Sequence, residues 1–175
     1  LAGTPEEKLK LYDQYLALPL RSHSDFLIGT RFEEILSKKA ELSGDPSIKI
    51  VYFDDRIRAA VTDRERLNWY LRKRQAAEKK ERPAINEEII ANFFDSVDRE
   101  LEGDVAQVFL RKILDSSDLS EQNLLCDRLI DRYRYSADNK ALSAVVQVIS
   151  LKAKAATDDG VNLQLYSEAI DRYKD

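Results

Sequence analysis

Apolar residues recur at three- and four-residue spacing along most of the chain, the period of a helix that buries one face. Leu9, Leu11, Tyr12, Tyr15, Leu16 and Leu18 form the first stripe, opened by Thr4-Pro5-Glu6-Glu7 and closed by Pro19. A hydroxyl followed by proline and acids starts a helix well, because the hydroxyl takes an orphan N–H and the acids meet the positive end of the dipole. Thr30 and Glu33 stand in capping-box spacing, and Phe32, Ile35, Leu36 and Leu42 predict a helix from there to Ser43-Gly44. Thr62 and Glu65 repeat that spacing before Leu67, Tyr70 and Leu71. Asn86 is read as the cap of a helix through Ile89, Ile90, Phe93, Phe94, Val97 and Leu101, ending at Gly103. Asp104 then starts a helix carrying Val105, Val108, Phe109, Ile113 and Leu114. Leu124, Leu125, Leu129, Ile130 and Tyr133 mark the next, and Leu142, Val145, Val146, Ile149 and Leu151 another. A last stripe runs through Leu163, Leu165, Tyr166, Ala169, Ile170 and Tyr173.

Short links between such helices predict an all-α fold, a multi-helix bundle or a short stack of antiparallel α-hairpins. Only Asp45–Val61 reads two ways. Ile48-Lys49-Ile50-Val51-Tyr52-Phe53 is β-branched and aromatic, and a turn at Asp54-Asp55 would make 48–61 a small β-hairpin. Asp45-Pro46 is also a helix start, however, and Ile48, Val51, Tyr52 and Asp55 keep helical spacing, so helix is the favoured reading. The break at Arg82-Pro83 divides an N-terminal helical part, 1–82, from C-terminal helical hairpins, 83–175, expected to pack as one domain.

Ile130-Asp131-Arg132-Tyr133-Arg134 returns forty positions later as Ile170-Asp171-Arg172-Tyr173-Lys174. Forty residues suits a two-helix unit that stacks on its neighbour. Tyr166–Tyr173 looks like the second helix of a tetratricopeptide unit, but the Trp and Leu-Gly of that motif are missing upstream, and no family is assigned.

The stretch 62–82 departs from the rest in charge and aromatic content together. Residues 56–82 carry a net charge of +6, between flanks of −3 and −7 in a chain of −4. At about 100° per residue, Trp69 points away from Leu67, Tyr70 and Leu71. It shares that far face with Arg66, Arg72, Lys73, Ala76 and Lys80. Arg66, Trp69, Arg72, Lys73 and Lys80 are therefore read as a solvent-facing partner-binding surface, with the aliphatic stripe beneath it. Trp and Arg often dominate binding energy. The competing reading buries Trp69 between two helices and pairs the cations with the acidic flanks.

Candidate chemistry is sparse. A single His and a single Cys exclude the common zinc and di-iron designs, and no Gly-rich phosphate loop occurs, so no cofactor or metal is expected. His23 beside Asp25 is read as a loop or cap histidine rather than a general base. Cys126 lies on the stripe of Leu129, Ile130 and Tyr133 and is read as core. The acid pairs Glu33-Glu34, Asp54-Asp55, Glu87-Glu88 and Asp158-Asp159 diverge on a helix and read as cap plus surface. No apolar run reaches the length of a membrane span. The chain begins with Leu and contains no Met, so its start is read as processed or truncated, and a cytoplasmic location is favoured.

These features leave three functions in order of preference. The first is a noncatalytic protein–protein interaction or scaffold domain that meets a partner with an acidic face. The second is a nucleic-acid-binding module using residues 56–82, where Trp69 or Tyr70 stacks on a base. The third is a small enzyme whose acids converge only in three dimensions.

Overall fold

The computed structural model describes residues 4–17, 26–45, 47–155, 160, 164 and 166–167, and side chains outside 26–30, 32 and 33. Among the described residues every regular element is helical: α1 (Pro5–Leu16), α2 (Phe26–Ser43), α3 (Ile48–Ala59), α4 (Asp63–Ala76), α5 (Arg82–Phe93), a 3-10 turn (Arg99–Leu101), α6 (Glu102–Asp115), α7 (Leu119–Tyr133) and α8 (Asn139–Ala155). The all-α reading holds, and 48–59 is helix rather than strand, with Ala60 and Val61 in the link to α4. No described helix is long and apolar enough to cross a membrane.

Local chemistry sets most of the boundaries. Thr4 accepts from the Glu7 N–H at 3.3 Å while Glu7 accepts from the Thr4 N–H at 2.9 Å, the reciprocal cap the spacing predicts. At α4 the Glu65 N–H donates to Thr62 at 3.1 Å, but the Glu65 carboxylate reaches one residue further back, to the Val61 N–H at 3.1 Å. Gly44 ends α2 at φ +67°, a left-handed conformation that glycine enters without steric cost.

Four boundaries differ from expectation. Helix α2 begins at Phe26, so Thr30 and Glu33 lie inside it. Helix α5 begins at Arg82, with Pro83 in its first turn, and ends at Phe93. The chain then turns instead of continuing to Glu102, because Arg132 of α7 donates to the Phe94 carbonyl at 3.1 Å and the Ser96 carbonyl at 2.6 Å. A tertiary guanidinium thus satisfies carbonyls the helix would otherwise use, and Val97, expected on an inner face, is left 95% exposed. Helix α6 begins at Glu102, so Gly103 lies in its first turn rather than ending α5.

Two apolar clusters form. Leu16, Leu36, Phe53, Ile57, Ala60 and Trp69 make an N-terminal core from α1–α4. Leu67 and Ala77 join Ile85, Ile89, Phe93, Phe109, Leu129, Val145 and others in a larger core extending through α8. Helix α4 lies between the two, with Tyr70 packed against both. The expected division at Arg82-Pro83 falls at the start of α5, after this shared helix.

Helices α6 and α8 pack directly on each other and repeat one burial register. Leu101, Val105, Val108, Phe109 and Ile113 are buried, and so are the residues forty positions on: Ala141, Val145, Val148, Ile149 and Ala153. The first copy of the sequence repeat lies in α7. Its second copy, and the expected helix through Tyr173, lie outside the described residues apart from isolated positions.

Candidate functional site

A helix buried on two sides has no free face for its aromatic residue, and α4 is such a helix. Trp69 is 9% exposed and packs edge-on to Tyr52 and tilted against Phe53, each at a ring distance of 6.3 Å. The Arg72 guanidinium lies 5.2 Å from the Trp69 ring centre, covering its outer side. Lys73 is buried as well, its Nζ 2.8 Å from Asp54 of α3 and 3.2 Å from Glu88 of α5. Burial opposes charge on Lys73, but the hydrogen bonds to Asp54 and Glu88 outweigh it and hold the ammonium pKa above its usual value.

These positions correct the expected solvent-facing surface. Trp69 and Lys73 are withdrawn into packing because α3 covers the face that the helical wheel leaves opposite Leu67. Arg66 is half-buried and pairs with Asp63 at 2.9 Å. Lys80 lies beyond the end of α4, exposed and 3.0 Å from Glu78. Arg72 and Lys80 do come together with other residues, on the walls of one groove.

The groove runs between α2 and α4, with α3 as its floor. Its inner part, about 150 Å³, is lined by Leu36, Ser37, Lys49, Phe53, Arg72, Gln75 and Ala76. Ser37, Lys49 and Ala76 continue into a wider outer part of about 750 Å³, bounded by Ala40, Glu41, Ile50, Glu78 and Lys80 among others. The inner part places two cations over a buried Leu and Phe, with no carboxylate among its lining residues. That combination suits an apolar side chain flanked by acids: the floor takes the apolar group while the guanidinium and ammonium hold carboxylates.

Lys49 and Gln75 were not singled out from sequence. The signal for Lys49 was its helical i,i+4 relation to Phe53, obscured by the β-branched character of that segment.

The other candidate groups are placed as follows. Cys126 is 1% exposed, and burial raises its thiol pKa. Asp54 meets Lys73, Asp55 meets Arg58 at 3.0 Å, Glu88 meets Lys73 and Glu87 meets Lys112 at 2.7 Å. Each described acid pair is thus divided between separate cations, as 100° divergence on a helix requires. His23, Asp25 and Asp158-Asp159 lie outside the described residues. Among the described residues no three His, Cys, Asp or Glu side chains are grouped to hold a metal ion. Comparison of the chain with protein-family models, curated proteins and solved structures finds no match in any of the three.

Proposed function

We propose that the chain is a noncatalytic interaction or scaffold domain that docks an acidic amphipathic segment of another protein in the groove between α2, α3 and α4. The observation that carries this reading is the inner groove, where Lys49 and Arg72 stand over Leu36 and Phe53. An incoming segment gains apolar burial on the floor and charge-assisted hydrogen bonds at the walls. The groove needs no exposed Trp, so the burial of Trp69 leaves this reading intact while removing that residue as a direct contact.

A photo-crosslinking residue at exposed Gln75 tests it. The expected result is a discrete protein adduct that an acidic, leucine-bearing helical peptide competes away. Lys49→Glu should abolish the adduct and leave the melting temperature unchanged. An adduct indifferent to both the peptide and Lys49→Glu would overturn the reading.

The nucleic-acid alternative is weighed down by the same geometry. Trp69 offers no open ring face for stacking, and Arg58, Arg64, Arg66, Lys73 and Lys80 are already paired with acids. Saturable binding of a labelled single-stranded oligonucleotide at physiological salt would favour that alternative instead.

A further inference from the structure

Helix α2 stands between two hollows. On its α4 side lies the cationic groove, whose inner part holds about 150 Å³. Behind it, toward α1, a second hollow of about 350 Å³ is bounded by Leu16, Lys39, Ile48, Val51 and Tyr52 among others. Leu36 borders both hollows and is 1% exposed. Among the described side chains of α2 it is the only one fully buried, with Ile35 half-buried beside it. Close-packed interiors leave few voids larger than a water molecule. A helix that rests on one ridge, with open space on both flanks, can shift sideways without overpacking either flank.

The attachments of α2 suit such a shift. Gly44, at φ +67°, follows the helix with no atom within 4 Å of the place a Cβ would take. Beyond it the Asp45 N–H donates to Ser43 at 3.3 Å and the Ser47 N–H to Asp45 at 2.9 Å, local bonds that turn with the link. The far side of the second hollow is held in place. Arg56 of α3 donates to the Leu16 carbonyl at the end of α1 at 2.9 Å, and its guanidinium lies 5.1 Å from the Tyr52 ring centre. Asp13 of α1 meets Lys39 of α2 at 2.5 Å, a partly exposed ion pair that resists displacement weakly. We infer that α2 is a movable wall, which retreats into the hollow behind it to admit the segment docked in the groove. This inference rests on the groove being a docking site. A void the size of the inner groove holds one benzene-sized group. A segment that brings more than one apolar side chain to Leu36 and Phe53 therefore needs the walls farther apart, and the room for that lies behind Leu36.

The test places nitroxide labels at Ser37→Cys and Gln75→Cys, on opposite walls of the inner groove, in the whole chain, whose own Cys126 is buried. Val51 borders the second hollow, is 55% exposed and does not line the groove. Val51→Trp, or the milder Val51→Phe, should fill that hollow and block the retreat without lowering the melting temperature. Titration with an acidic, leucine-bearing helical peptide should lengthen the label separation by about 3–4 Å, one layer of atoms. In both bulky variants the separation should keep its unliganded value. Their peptide affinity should fall at least tenfold, because a ligand that needs the retreated wall binds only as far as that state is populated. Val51→Ala should bind as the parent does. Tight binding with unchanged separation, or equal affinity in the parent and the bulky variants, would overturn the movable wall and leave the docking reading standing. Without peptide, the parent should show a tail of longer separations that Val51→Trp removes. Absence of saturable peptide binding would remove the docking reading. Identical label distributions in the two unliganded chains would overturn the movable wall whether or not the peptide binds.

Discussion

Trp69 shows how a single side chain is judged by its neighbours rather than by its own helix. The wheel places it correctly opposite Leu67, and the cations around it suggest solvent. What the wheel lacks is α3, whose Tyr52 and Phe53 close over the indole. Trp69→Ala is expected to cost roughly 3–5 kcal/mol by emptying the smaller core, read as a lower midpoint in chemical denaturation. Lys73 is legible only as one more cation, because its acceptors Asp54 and Glu88 lie on two other helices, nineteen residues before it and fifteen after it. Lys73→Met should cost roughly 1.5–3 kcal/mol near neutral pH through the lost charge-assisted hydrogen bonds. The ammonium pKa is raised on folding, so its stabilisation is complete below the unfolded lysine value and is lost as pH rises through the folded one. The stability gap between the parent and Lys73→Met should therefore begin to narrow above about pH 10.4 and close above the raised folded value, measured between their denaturation midpoints. A gap that stays constant up to pH 12 would contradict the assigned role.

At the level of elements, caps and stripes carry most of the assignment, and the failures have one physical source. The chain between Phe93 and Gly103 keeps helical spacing, yet Arg132 breaks it from thirty-odd residues away by taking the Phe94 and Ser96 carbonyls. Gly103 is the second such case. It reads as a terminator from sequence, but it is a place of close approach in the first turn of α6. A Cβ there would collide with Oδ1 of Asp138, the oxygen that accepts from the Lys140 and Ala141 N–H groups at the start of α8. Alanine ordinarily stabilises a helix position by about 1 kcal/mol relative to glycine. Gly103→Ala should instead destabilise, by roughly 1–2 kcal/mol, because it displaces a helix cap. Combined with Asp138→Ala the cost should be less than additive, since the second change removes the clash, and a double-mutant cycle measures that coupling.

Over the whole molecule, the helical class is legible in the sequence, whereas the groove is not. Its walls come from α2, α3 and α4, and only the fold brings Lys49 beside Arg72. The arrangement of cores gives a direct expectation for fragments. Residues 83–175 lack Leu67 and Ala77, both members of the larger core, whereas 60–175 retains them. The longer fragment should show a cooperative thermal transition, and the shorter one a broader transition at lower temperature. Equal transitions would mean that α4 contributes nothing to the C-terminal core.

The shared position of α4 also bears on the order in which the protein is made. Synthesis releases α1, α2 and α3 first, without the indole that fills the space beside Phe53. Those helices cannot close their core until α4 follows them, and α4 then presents Leu67 on its opposite side to segments not yet translated. Completion of the first part thus exposes the template for the second, and the growing chain carries an uncovered apolar stripe until α5 arrives.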